Sequence, residues 1–232
     1  ASGGARTAAT VPMTTSAPLL AFVDPQGYAD VATLVQRVRL ADPDAAVRLV
    51  VKGNRLGLFV GVLAGAGLFA EGAAVGHRAV LLDAGPPMDV TVSAASLSDR
   101  FARARTHERV LPVPPAHVHA PWVGQLPLAG PWAATDPVRL ELLHDAAVGG
   151  IAQIAEAVPD AVGGAAVDAV RQRVWGAPVG ATGLTAAVGF AAYALGFIGV
   201  IPPVATAEAQ VWRCGRWARV RFPHGQVLAR VG

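Results

Sequence analysis

His117-Val118-His119 is the histidine pair in this chain whose spacing suits a metal ion. In an extended segment residues i and i+2 project to the same side, as two imidazoles on one ion must. Glu141 and His144 stand at i and i+3, with Asp145 next. On a helix such a Glu-x-x-His pair presents both groups to one side, as carboxylate-histidine metal sites require. His117, His119, Glu141 and His144 are therefore the candidate metal ligands, and a metal-dependent enzyme is one reading of the chain. The plainer reading is a His-x-His in a proline-rich connector and a solvated face on the first turns of an amphipathic helix. The expectation is no cofactor, with a bound divalent metal as the alternative.

A second constellation is basic. Residues 209–232 contain Arg213, Arg216, Arg219, Arg221 and Arg230 and no acid, a formal +5 in a chain of net +3, which leaves −2 for the rest. Alternation places Ala218, Val220 and Phe222 on one face of a strand, and Trp217, Arg219 and Arg221 on the other. An exposed strand with this pattern stacks a base and holds its phosphates. Two other uses compete: arginines on an edge strand prevent sheet-to-sheet pairing, and Trp stacks on Arg inside a fold. Pro121-Trp122 and Pro131-Trp132 add two indoles, which either line a ligand groove or pin the connector to the surface. The candidate binding residues are Trp122, Trp132, Trp217, Arg213, Arg216, Arg219 and Arg221.

Other chemistry is poorly supported. Gly61-x-x-x-Gly65-x-Gly67 has the wrong spacing for a dinucleotide fingerprint, and Lys52-Gly53 lacks the rest of a phosphate loop. There is no Gly-x-Ser-x-Gly nucleophile elbow. Asp42 and Asp44 flank Pro43 on a turn, where capping explains them better than paired acid-base work. Cys214 is the single cysteine, so the sequence offers neither an intrachain disulfide nor a cysteine zinc site, and a reducing cytoplasm is permitted.

These residues need elements to hold them. The chain has 232 residues, 53% hydrophobic and 15% charged, ample for a sizeable core. The expected fold is α+β: an antiparallel β-meander flanked by helices, then a helical segment and a small C-terminal antiparallel hairpin sheet. A short strand over 19–23 leads through Asp24-Pro25 to a helix over about 28–40, with Val31, Leu34, Val35 and Val38 on one face. The meander comprises four strands, over 47–52, 56–63, 77–83 and 88–93. Ser96 to Asp99 resembles a capping box for a helix to about Arg105. Prolines exclude regular helix from 111 to 135. Asp136-Pro137 reads as the start of a helix ending at Pro159-Asp160, with Gly149-Gly150 marking a kink or close packing. Helices follow over about 165–174 and 184–197, the second Ala/Gly-rich and expected to be the most buried. Pro202-Pro203 closes the block before the C-terminal strands. The domain reading is 1–18 as a disordered tail or tag, 19–110 as the meander lobe, 111–136 as connector, and 137–232 as the helical lobe, joined to the first as one unit. The apolar runs 56–70 and 184–201 are read as core, not as membrane spans, because they are short or dominated by Ala and Gly.

The Pro-Trp connector, Ala194-Leu195-Gly196-Phe197 and Val211-Trp212-Arg213-Cys214-Gly215-Arg216-Trp217 resemble an uncharacterised family of actinobacterial conserved hypothetical proteins, from about Thr14 onward. That resemblance implies no activity, cofactor or catalytic residue. A bacterial source also fits the composition, since Lys52 is the sole lysine among 19 Lys and Arg residues. The leading expectation is a soluble cytoplasmic binding or protein-interaction module without catalysis, engaging a protein partner or a second copy. Weak nucleic-acid binding through the basic C-terminal hairpin is the alternative.

Overall fold

The computed structural model describes residues 17–65, 71–104, 109–127, 130–157, 163–199 and 207–231. Residues 1–16 of the expected tail, Arg105, Pro159-Asp160 and Pro202-Pro203 lie outside the described residues.

The first half runs β1 (Leu19–Phe22), α1 (Pro25–Ala41), β2 (Ala46–Lys52), β3 (Arg55–Leu63), β4 (Ala74–Ala84), β5 (Met88–Ser93), α2 (Ala94–Arg103) and β6 (Val110–Pro112). A short 3-10 turn, Pro121–Gln125, lies in the connector. The second half runs β7 (Ala133–Arg139), α3 (Leu140–Ala157), α4 (Gly164–Gly176), α5 (Ala186–Ala194), β8 (Glu208–Cys214), β9 (Trp217–Phe222) and β10 (Gly225–Arg230). The mixed α+β class is as expected from the sequence.

Local chemistry explains the boundaries. Asp24 caps α1 by accepting from the Gly27 amide at 2.6 Å, and Pro25 fills the first turn, where no amide is needed. Val31, Leu34, Val35 and Val38 are its buried residues, as the helical spacing predicts. Gly53, at φ +58°, supplies the left-handed backbone of the two-residue turn between β2 and β3. Helix α2 begins earlier than the Ser96–Asp99 pattern suggests: its cap is Ser93, whose hydroxyl accepts from the Ser96 amide at 3.1 Å.

Eight strands follow the order β5-β2-β3-β4-β10-β9-β8-β7; β1 attaches to β4, and β6 to β1. Two expectations are corrected here. The fourth meander strand does not lie beside the third. The far edge of β4 is taken by β10 over residues 74–77 and by β1 near Leu82 and Ala84, so β5 crosses back to β2. Asp136-Pro137 does not cap a helix either. The pair sits inside edge strand β7, at a register break between Thr135 and Val138, where a proline without an amide interrupts no continuous ladder.

The two halves share one sheet through β4 and β10, where His77 faces Gln226 and Val75 faces Leu228. Helices cover its inner face. Helix α5 is central to that layer, with Ala186, Ala187, Val188, Gly189, Ala191 and Ala192 all buried. Its small residues are required by distance: a Cβ on Gly189 would lie 2.1 Å from the Leu143 carbonyl oxygen of α3. Gly150 of α3 is likewise a contact point, since a Cβ there would lie 2.3 Å from the Trp175 ring of α4. Trp175 in turn stacks on Phe190 at 4.1 Å. Val167 and Val170 are only half-buried, and α4 buries Val174 and Trp175. Among the described residues no helix is long and apolar enough to cross a membrane.

Candidate functional site

The outer face of the sheet is written by period-two alternation through seven paired strands. Register aligns Thr91, Arg48, Phe59, His77, Gln226, Arg221 and Gln210 across it. The next row toward the connector carries Gly61, Val75, Leu228, Arg219 and Trp212. The connector covers the second row. Trp122 lies so close to Gly61 that a Cβ there would stand 2.6 Å from the indole. Val75, Trp217 and Leu228 are buried beneath it, with Phe59, Trp122, Leu126 and Trp132 packed around them. The tryptophans of the connector thus pin it to the sheet. Trp217 is only 8% exposed and is part of this small core, not the free stacking surface that alternation alone suggests.

The arginines divide by role. Arg213 donates to the Thr182 and Gly183 carbonyls, and its burial lowers its pKa. Arg216 pairs with Glu71 at 3.1 Å. The Arg219 guanidinium lies over two indoles, 4.6 Å from the Trp212 ring centroid and 5.0 Å from that of Trp132. Arg221 is exposed. Both Arg219 and Arg221 stand on β9, an interior strand, so protection of a sheet edge does not explain them.

Beyond the covered row lies an open groove of about 480 Å³, where Arg55, His77, Ala79, Trp212, Arg219 and Arg221 converge. It opens because β10 leaves β4 at His77 and β1 joins only at Leu82, so the Pro223-His224-Gly225 turn ends beside an unaccompanied stretch of β4. Arg78, whose side chain serves the inner face, ties that turn down by donating to the His224 carbonyl, and pairs with Asp30 of α1. No acidic residue is among those lining the groove. Asp89, an acid elsewhere on this face, is held by Arg48 through two hydrogen bonds of 2.6 Å, which lower its pKa.

His77 forms part of the groove's floor. Its ring packs on Phe59 at 4.3 Å and meets the Gln226 amide at 2.5 Å. Gly57 leaves room for the imidazole, since a Cβ there would lie 3.1 Å from Nε2. Burial lowers its pKa to about 4, so it is neutral at physiological pH.

The candidate metal ligands are not brought together: among the described residues no three or more His, Cys, Asp or Glu side chains form a metal-sized group. The extended segment of His117 and His119 runs along β5, where the Val118 amide donates to the Thr91 carbonyl. His144 packs edge-on to Tyr193 and lies 3.4 Å from Asp145, while Glu141 is near Arg139. Arg55, His77 and Trp212, which the sequence reading missed, are the groove's additions. Period two in β3 and β4 marks the face of Arg55 and His77, but only the β4–β10 pairing brings them to the C-terminal arginines.

Residues 15–123 match a domain of unknown function (DUF8010), and residues 127–232 match a second domain of unknown function (DUF8185). Both matched domains are uncharacterised, in agreement with the resemblance to an uncharacterised family carried by the Pro-Trp and Trp-Arg motifs. The boundary between the matches falls within the connector, beside the 3-10 turn. No curated protein matches the chain. Solved structures with a similar course include a Caulobacter crescentus pol III beta, at 12% identity and TM-score 0.48, covering 92% of this chain and 64% of that one. A DNA polymerase sliding clamp from Pseudomonas aeruginosa, solved with ligand, matches at 14% identity and TM-score 0.46, over 88% of this chain and 63% of that one. The chain spans less than two thirds of the length of these two proteins, and a likeness at this level does not extend to function.

Proposed function

We propose that this chain is a non-catalytic binding module whose ligand site is the groove on the outer sheet face, and that the ligand is anionic. The observation that carries this reading is the convergence of Arg55, Arg219 and Arg221, from both halves of the chain, on a groove without a carboxylate. Arg55 and Arg221 make no ion pair among the described residues. Cations gathered on a concave surface focus a positive potential there and attract anions. The neutral His77 and the Gln226 amide add hydrogen-bonding groups at the floor without adding charge.

Titration with inorganic polyphosphate at low salt, followed by tryptophan fluorescence, tests the reading, because Trp212 lines the groove. The expected result is a saturable change that weakens with added salt and is lost in Arg55→Glu/Arg221→Glu. Equal binding by that variant and the wild type would remove the groove from the account.

A further inference from the structure

We propose that the groove takes single-stranded nucleic acid, with a base stacked against Trp212 and the backbone phosphates on Arg55 and Arg221. This rests on the anionic-ligand reading and narrows it to one ligand chemistry.

Three features favour such a strand over other anions. The first is the Arg219–Trp212 contact. The Arg219 guanidinium lies over the rings of both Trp132 and Trp212, and Trp212 is the indole that lines the groove. The Arg219 guanidinium fixes the Trp212 ring before any ligand arrives, so little side-chain freedom is lost when a further flat group is added. A base supplies that group, and stacking tolerates any base because each has a π-face. An acidic peptide would satisfy the arginines and leave the indole unused.

The second feature is the placement of the cations. Arg221 lies on β9 and Arg55 at the start of β3, with β10 and β4 between them. At about 4.8 Å per strand their backbones are separated by roughly 14 Å across the sheet, apart from their offset along it. Two cations so spaced suit phosphates two or more nucleotides apart on one strand better than one compact anion.

The third is the floor. Ala79 is small and exposed, and the Gln226 amide contacts His77, so the surface between the cations is low and carries hydrogen-bonding groups. A paired duplex keeps its base faces stacked inside and cannot present one to Trp212, so the geometry selects the unpaired strand.

Fluorescence anisotropy of the full chain with a labelled oligothymidylate, its abasic counterpart of equal length and the matching duplex tests the proposal. The oligothymidylate is expected to bind about tenfold or more tightly than the abasic strand, the usual scale for loss of base stacking. Trp212→Ala should remove that advantage and Trp212→Phe should retain most of it. Arg221→Ala should reduce the slope of log affinity against log salt by about 0.7, the share of one phosphate contact. Equal affinity for thymidine and abasic strands, or preference for the duplex, would overturn the proposal. The wild-type comparison needs no variant to fold. If polyphosphate still bound in an Arg55- and Arg221-dependent way, only the nucleic-acid assignment would fall. If polyphosphate also failed to bind, the groove reading would fall with it.

Discussion

Strand β9 has two faces with opposite fates. Ala218, Val220 and Phe222 point inward, at 4% exposure or less, against helices packed at distances that tolerate only small residues. Trp217, Arg219 and Arg221 point outward, and go in that order from buried, to lying over two indoles, to exposed. The inner face is sealed along the strand's whole length. The outer face is sealed at one end by the connector and open at the other. Alternation sets which residues share a face, but what covers that face is decided by chain arriving from elsewhere. This division explains why one strand serves both as core and as the wall of a basic groove.

The comparison breaks most visibly on the inner side. Ala191 of α5 is 0% exposed and lies in the layer that the inner face packs against. Ala191→Asp places a carboxylate there without a partner and should cost on the order of several kcal/mol. Chemical denaturation measures it, and a variant with wild-type stability would mean that α5 is not the buried centre of the helical layer.

A smaller effect sits at the boundary between the faces' two regimes. Burial brings the His77 pKa down from 6.5 to about 4. As pH falls, the unfolded chain therefore takes up this proton before the folded one does. The resulting stabilisation is complete above about pH 6.5 and is lost on acidification toward pH 4, amounting to about 3 kcal/mol. The other charged or titratable groups lining the same groove are Arg55, Arg78, Arg219, Arg221 and His224. Urea midpoints across this window should slope for the wild type and flatten for His77→Gln. An undiminished slope in the variant would assign the titration to another group.

Local patterns made the inner face legible. The i, i+3, i+4 spacing of α1, the alternation of β2 and β9, and the small residues of α5 each state their burial in a few consecutive residues. Long-range pairing left the rest unreadable. His77 and Gln226 are 149 positions apart, and no local pattern joins them. The same holds for β5, displaced because β10 and β1 occupy the edge of β4. Asp136-Pro137 misled for a different reason: the two residues satisfy the rules for a helix cap and equally those for a bulge in an edge strand. Among the candidate binding residues, the arginines of β9 were readable as a basic face. Their separation into structural Arg213, ion-paired Arg216, stacked Arg219 and exposed Arg221 depends on Thr182, Glu71 and Trp132, which lie far away in sequence.

The smallest expected effect gives the sharpest test, because it sets neighbouring residues against each other. Phe222 is 4% exposed on the inner face, and Phe222→Ala should cost about 3–5 kcal/mol through lost burial and the cavity left behind. Arg221, one residue earlier, makes no ion pair among the described residues and is exposed on the outer face. Arg221→Ala should change stability by no more than about 0.5 kcal/mol, as for an ordinary surface position. Parallel denaturation curves measure both. A loss above about 1 kcal/mol in Arg221→Ala would make its guanidinium a structural part of the sheet, like that of Arg213, and no longer a charge free for a ligand. An unchanged curve combined with weakened polyphosphate binding separates the two faces functionally: inner residues hold the fold, and the open end of the outer face holds what the fold binds.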